Sequence, residues 1–274
     1  MTRAKLKEIM EQGSKERFGR MDDYMDRKDR DEPFVWDIGA WLASEFQDKR
    51  NNGIVYPSGS IKLLDIGPAI GAVSSYLTIN ALHKGTGENI TNIQLYLCDI
   101  SGEVIHKTIA GEYIIPYHIF SKRTHMDGKI VDDISRIIRN AQGKTGNVQE
   151  LPYADNTFDL TVANFILHHI PNADKGKAAR EIQRVTKDGG FIIISDEYIP
   201  KQLSIQYLER HQHEDIPLAK EEFMTLKQVL RRFNQIYLQG LTYGKEYYAF
   251  YGINSEDSML WQHKEYLKDR NILL

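Results

Sequence analysis

The chain has 274 residues, of which 41% are hydrophobic and 27% charged, with a formal net charge of -3 at neutral pH. That length supports one elaborated α/β domain with a large core, and the near balance of charge excludes a global pull toward nucleic acid or anionic membrane. The single cysteine, Cys98, excludes an internal disulfide, and the charged start and the lack of any apolar run near the roughly 20 residues that span a bilayer point to a cytoplasmic protein without membrane insertion.

Up to about residue 49, apolar positions fall three and four apart (Phe18, Met21 and Met25, then Ile38, Trp41 or Leu42, and Phe46), which predicts helices closed by Asn51-Asn52-Gly53. From residue 61 to about 196, short apolar runs alternate with amphipathic stretches, the pattern of a parallel sheet covered by helices. Strands are predicted at 61–66, 93–98, 158–163 and 191–195, with a weak one at 146–149. Residues 101–144 exceed what one crossover helix requires and are read as an insertion after the second strand. Within it, Val104, Ile105, Thr108 and Ile109 suit one helix and Val131, Ile134, Ile137 and Ile138 another, while Pro116 interrupts the apolar connector between them. Beyond Asp196, helical patterns around 203–210 and 221–233 precede strand-like runs at 235–238 and 246–251 and a polar final helix. The expected organisation is a helical cap or lid over 1–52 and a main domain over 53–274 that carries the insertion at about 101–144.

The first predicted strand leads through Asp65 into the turn Gly67-Pro68-Ala69-Ile70-Gly71 and a helix beginning near Ala72. Glycines at such a turn let a ligand approach the backbone, and a helix amino end offers N–H groups to a carboxylate or phosphate. A structural strand-to-helix turn has the same composition. The second strand ends in Asp99, where a carboxylate can accept from both hydroxyls of a ribose or, alternatively, cap a helix. Gly67 and Gly71 enclose three residues, unlike the Gly-x-Gly-x-x-Gly of dinucleotide sites, which argues against a nicotinamide dehydrogenase.

The run from Asn147 to Leu160, with Leu151-Pro152-Tyr153-Ala154-Asp155-Asn156-Thr157-Phe158-Asp159 at its centre, resembles the class I S-adenosylmethionine-dependent methyltransferase superfamily, in particular its small-molecule and quinone-precursor branch. Asn164-Phe165-Ile166-Leu167-His168-His169 and Arg180-Glu181-Ile182-Gln183-Arg184-Val185-Thr186-Lys187-Asp188-Gly189-Gly190 follow in that family's order. The resemblance implies a three-layer α/β/α Rossmann-like fold with a seven-stranded, mostly parallel sheet whose last strand is antiparallel. It implies S-adenosylmethionine as cofactor and S-adenosylhomocysteine as product. In the family's pattern Asp65 would order the loop and hold the methionine amino group, with Gly67, Ala69 and Gly71 allowing close approach. Asp99 would hold the ribose and Ile100 would pack on adenine. Asn147 would bond the adenine amino group, Val148 would donate its backbone N–H to the ring, and Asn164 would face the methionine part. Ala69 and Asn147 stand where the family usually has glycine and aspartate.

A sulfonium methyl is already activated, so the protein mainly aligns a nucleophile and excludes water. Candidates for a base are His168, His169 and Asp196, weighed against packing for the histidines and a solvated loop end for Asp196. Tyr153 and Tyr198 are candidate pocket residues against core packing, and Tyr24 is a candidate lid contact. The expected acceptor is a small, partly apolar molecule methylated on O, N or C, and a homodimer is compatible with this reading. Two other readings compete: an RNA or protein methyltransferase docking through Lys122, Arg123, His125, Lys129, Arg136 and Arg139, and a non-catalytic scaffold. Asn164 is not followed by the Pro-Pro-aromatic pattern of nucleic-acid amino methylases, and no metal-ligand spacing is present in the sequence.

Overall fold

The computed structural model describes residues 60–68, 72–86, 90–112, 127–170, 172–198, 234–239 and 246–254. The chain divides into two compact units, Met1–Thr145 and Gly146–Leu274.

In the first unit, β1 (Ile61–Ile66) pairs in parallel with β2 (Ile93–Asp99), which pairs in parallel with β3 (Gln142–Thr145). The register sets Ile61 beside Ile93 and Ile66 beside Cys98, and the ladder runs one step further through Gly67 N donating to Cys98 O at 2.8 Å. Leu63, Leu64, Leu97 and Cys98 are fully buried, as expected of central parallel strands with both faces covered. Helices α1 (Val73–Thr86), α2 (Gly102–Ala110) and α3 (Gly128–Arg139) accompany the strands. Residues 73–82 of α1 and Ala72 just before it are all buried, polar Ser74, Ser75, Thr78 and Asn80 included. The Tyr76 hydroxyl meets the Ser135 hydroxyl of α3 at 2.5 Å.

Helix α2 starts at Ser101, whose side chain accepts from Val104 N, and stops at Gly111 in the left-handed region. Helix α3 is opened by Asp127, which accepts from Ile130 N at 2.9 Å, and buries Val131, Ile134 and Ile138 on one stripe.

In the second unit, β4 (Phe158–Asn164) pairs in parallel with β5 (Thr186–Tyr198), and β7 (Glu246–Ile253) runs antiparallel between β5 and β6 (Asn234–Gln239). Helix α4 (Asn172–Val185) links β4 to β5 and buries Ala178, Ala179, Ile182 and Val185.

Two strand expectations shift. The weak third strand lies at Gln142–Thr145 rather than 146–149, because it is an edge strand whose four residues are all exposed and carry no apolar side chain to mark them. The fifth strand starts at Thr186 rather than 191, because Thr186 pairs with Phe158 and the Lys187-Asp188-Gly189-Gly190 step bulges out before the ladder resumes at Phe191. Asn254 holds that bulge: Gly189 N donates to Asn254 O and Asn254 N donates to Gly190 O, both at 2.7 Å. Its side-chain amide also donates to Gln183, Thr186 and Lys187 carbonyls. Residues 1–52, most of the connector before α3, the predicted helices around 203–210 and 221–233, and the final helix lie outside the described residues.

Candidate functional site

Because β1 and β2 are parallel, their carboxyl ends share one edge, and the first unit brings Asp65–Gly67 and Asp99–Ile100 together there. Asp65 is buried in the strand core at 1% exposure, and Ser75 of α1 donates to its Oδ2 at 2.5 Å. This bond ties the strand to the helix on the far side of the turn, so the turn between them has both ends fixed. Gly67 has φ 65, and Ala72, fully buried just before α1, has φ 48. A left-handed alanine is unfavourable, and such strain persists only where the surroundings enforce it. Ala69 and Gly71 lie outside the described residues.

Asp99 resolves one alternative. The cap of α2 is Ser101, not Asp99; the aspartate sits two residues earlier and accepts from Ser101 N through Oδ1 at 2.8 Å. Burial pushes its carboxyl up to about 6, opposed in part by hydrogen bonds from the Ser101 and Ile100 backbone. A half-buried carboxylate at the carboxyl end of a parallel strand, spared from capping duty, is chemically suited to two adjacent hydroxyls. Ile100 is half-buried beside it. Cys98 is fully buried, and its thiol is pushed up to about 12 by burial, with the Asp99 carboxylate adding to the effect, so it packs as a small apolar side chain.

In the second unit, Asn147 and Val148 lie in a tight turn. Asn147 Oδ1 accepts from Gln149 N at 2.9 Å, Asn147 O accepts from Glu150 N at 2.8 Å, and the turn closes with an Asn147 to Glu150 bridge. The side-chain oxygen expected to meet an adenine amino group therefore already accepts one bond, and a carbonyl oxygen has a second lone pair. Asn164 ends β4 and is buried, its Oδ1 accepting from Ser195 Oγ at 2.6 Å. Phe165, the next residue, has φ 57, which for a bulky side chain marks strain, and its N–H donates to Ser195 O at 2.8 Å.

Asp196 is fully buried within β5, so it is not a solvated loop end. His168 and His169 form a 3-10 turn with Leu167 after β4; His169 is half-buried, with its N–H donating to Ile166 O, and the His168 side chain is not among those described. Tyr153 packs its ring edge-on to Phe158, centroids 4.8 Å apart, so it serves the core. The Tyr198 side chain and Tyr24 lie outside the described residues. Among the described residues no group of three His, Cys, Asp or Glu side chains could hold a metal ion.

Sequence reading assigned no role to Ser75, Ser101, Glu181, Arg184 or Ser195. Ser75 was legible in principle, as a hydroxyl on the first turn of the helix that follows the acid. Ser195 and the Glu181–Arg184 pair act on residues 30 or so positions away, which no local pattern reveals.

Each unit is thus an α/β assembly with parallel strands whose candidate residues sit at strand carboxyl ends and following turns, where Rossmann-like folds place their ligands. A family model described as a methyltransferase domain matches residues 123–194. The chain is 26% identical over 106 residues to the uncharacterized methyltransferase YcgJ of Bacillus subtilis, covering 38% of this chain and 41% of that one. It is 27% identical over 137 residues to a ubiquinone/menaquinone biosynthesis C-methyltransferase of Rickettsia prowazekii, covering 50% and 44%. In all of these the match spans less than half of the curated relative's length. The crystal structure of a provisionally assigned sarcosine dimethylglycine methyltransferase from Galdieria sulphuraria superposes with a TM-score of 0.52 at 17% identity, over 80% of this chain and 86% of that one, and so shares the fold. The similarity is thus to methyltransferases, carried by residues 123–194 for the family model and by the shared fold for the solved structure.

Proposed function

We propose that the protein transfers the methyl group of S-adenosylmethionine, by in-line displacement, to an O, N or C atom of a small, partly apolar molecule. The observation that carries this reading is the pairing of the Asp65–Gly67 turn with an uncapped Asp99 at one sheet edge. On this reading Asp65 and Gly67, with Ala69 and Gly71 of the sequence motif, would serve the methionine end of the cofactor, Asp99 its ribose, Ile100 its base, and Asn147 with the Val148 N–H the base edge. Asn164 is assigned to the methionine side. When bound, the cofactor supplies an electrophilic methyl group, and the remaining work falls to the protein's own residues.

That work is orientation and exclusion of water, for which effects of about 7–11 kcal/mol are attainable. A base is needed only for a nucleophile that loses a proton, and His168, His169 and Asp196 are the candidates. The quinone-biosynthesis methyltransferases among the relatives, one of them a C-methyltransferase, support a small apolar acceptor. The reading further takes the seven strands of the two units as the family's complement, residues 1–52 as a cap, and 101–144 as the elaborated segment that sets specificity.

Calorimetric titration with S-adenosylhomocysteine tests the cofactor assignment. Wild type binds, and Asp99→Ala weakens binding by at least about tenfold, the scale of a lost charge-assisted hydrogen bond. No binding, or an Asp99→Ala protein indistinguishable from wild type, sinks the reading. Incubation with S-adenosylmethionine and a metabolite extract, followed by mass detection of a single added methyl group, then identifies the acceptor.

A further inference from the structure

Next to the turn that carries Asn147 and Val148 lies an ion pair with no assigned role. Arg184, near the end of α4, donates from Nε to Glu181 Oε1 and from Nη2 to Glu181 Oε2, each at 2.8 Å, a two-pronged contact one helical turn apart. The rest of the guanidinium meets two main-chain carbonyls and one more carboxylate. Nη2 donates to Leu151 O at 3.1 Å, and Nη1 donates to Tyr153 O at 2.9 Å and to Asp155 Oδ1 at 2.7 Å. Glu181 Oε2 in turn accepts from Leu151 N at 2.9 Å. Leu151 is therefore held at both its N–H and its carbonyl, and Tyr153 at its carbonyl.

The held residues and the Asn147 turn are adjacent along the chain. Asn147 holds Gln149 and Glu150, Leu151 follows directly, and Tyr153 N donates back to Leu151 O at 2.8 Å. Gln149 and Leu151 are buried while Asp155 is 69% exposed, so the grip is firm at the end nearest Asn147 and solvated at the other. An ion pair on a helix surface normally adds little to stability. Here the pair also holds main chain, the Leu151 N–H and the Leu151 and Tyr153 carbonyls, a use that fixes position.

We infer that Glu181 and Arg184 are positioning residues for cofactor binding: they clamp Leu151 and Tyr153 so that the Asn147-Val148 turn is preformed to receive the adenine. This inference rests on the cofactor reading above. A preformed turn carries its ordering cost in folding, so binding does not bear it. Lysine cannot replace the arginine, since an ammonium cannot span two carboxylate oxygens and two carbonyls at once.

Titration of the full chain with S-adenosylhomocysteine, well below each variant's unfolding midpoint, tests the clamp. Arg184→Met weakens binding by about tenfold, and Arg184→Lys lies closer to Met than to wild type. The effect is not additive with Asn147→Ala: in that background Arg184→Met costs less than about threefold, because both substitutions act through one turn. Lys187→Met, which removes a 2.6 Å ion pair with Asp159 in the same unit, leaves affinity unchanged and controls for general loosening. Should Arg184→Met fail to fold, Glu181→Gln keeps an acceptor for Leu151 N and is expected to weaken binding several-fold. Unaltered affinity with only a lowered unfolding temperature overturns the clamp, as does full additivity with Asn147→Ala. Absence of wild-type binding overturns the cofactor reading, and the clamp with it.

Discussion

Asp99 holds its proton more tightly in the folded chain, at about 6, than the ordinary carboxyl at 3.8. Between those values the folded state carries the extra proton, so stability from this group is greatest below the window, declines as pH rises through it, and is level above about 6. With Asp99 assigned to the ribose as proposed, ligand binding has the opposite sense, because the hydroxyls would need the ionised form. Affinity for S-adenosylhomocysteine is expected to be flat above about pH 7 and to fall toward tenfold per pH unit below about 6. Asp99→Asn removes that step, and calorimetry across pH reads it; a step that persists in the variant assigns the titration elsewhere. Asp65 and Asp99 were legible in the sequence because strand ends followed by glycine or a helix cap are local signals. The engagement of Asn147 Oδ1 by Gln149 and the left-handed Phe165 were not, since both depend on how a turn or strand end closes in space.

At the scale of elements, β3 and α2 are locked by a missing side chain. A methyl group added at Gly143 would stand 2.1 Å from Ile105 Cγ2 and 3.0 Å from Ile109 Cδ1, so the helix lies directly against the bare strand. Gly143→Ala is expected to destabilise by about 1–3 kcal/mol, the usual range for overpacking, seen as a lower denaturant midpoint at unchanged slope. An unchanged midpoint would mean that α2 can retreat without loss. The same edge strand explains why β3 was misplaced by four positions. Strands such as Ile61–Ile66 announce themselves through buried apolar runs, whereas Gln142–Thr145 is an exposed, polar strand marked only by its backbone pairing to β2 and by the helix against Gly143.

For the molecule as a whole, a ligand that binds only the folded chain stabilises it by mass action, about 2.7 kcal/mol at one hundred times its Kd. S-adenosylhomocysteine is therefore expected to raise the unfolding temperature of wild type and, at the same concentration, to raise that of a tenfold weaker Asp99→Ala only about half as far. A net charge of -3 predicts no retention of RNA on filters at moderate salt, and salt-sensitive retention would favour a nucleic-acid substrate instead. Asn254 also sets an order of assembly. It bonds to Gln183, Thr186 and Lys187, partners 67 to 71 positions earlier. During synthesis, the end of α4 and the Gly189–Gly190 bulge emerge long before their partner does. They wait with carbonyls and an N–H unmatched until β7 has been made, so the second unit completes its hydrogen bonding late, and a ribosome stalled before Asn254 would present an open edge to chaperones or to neighbouring chains.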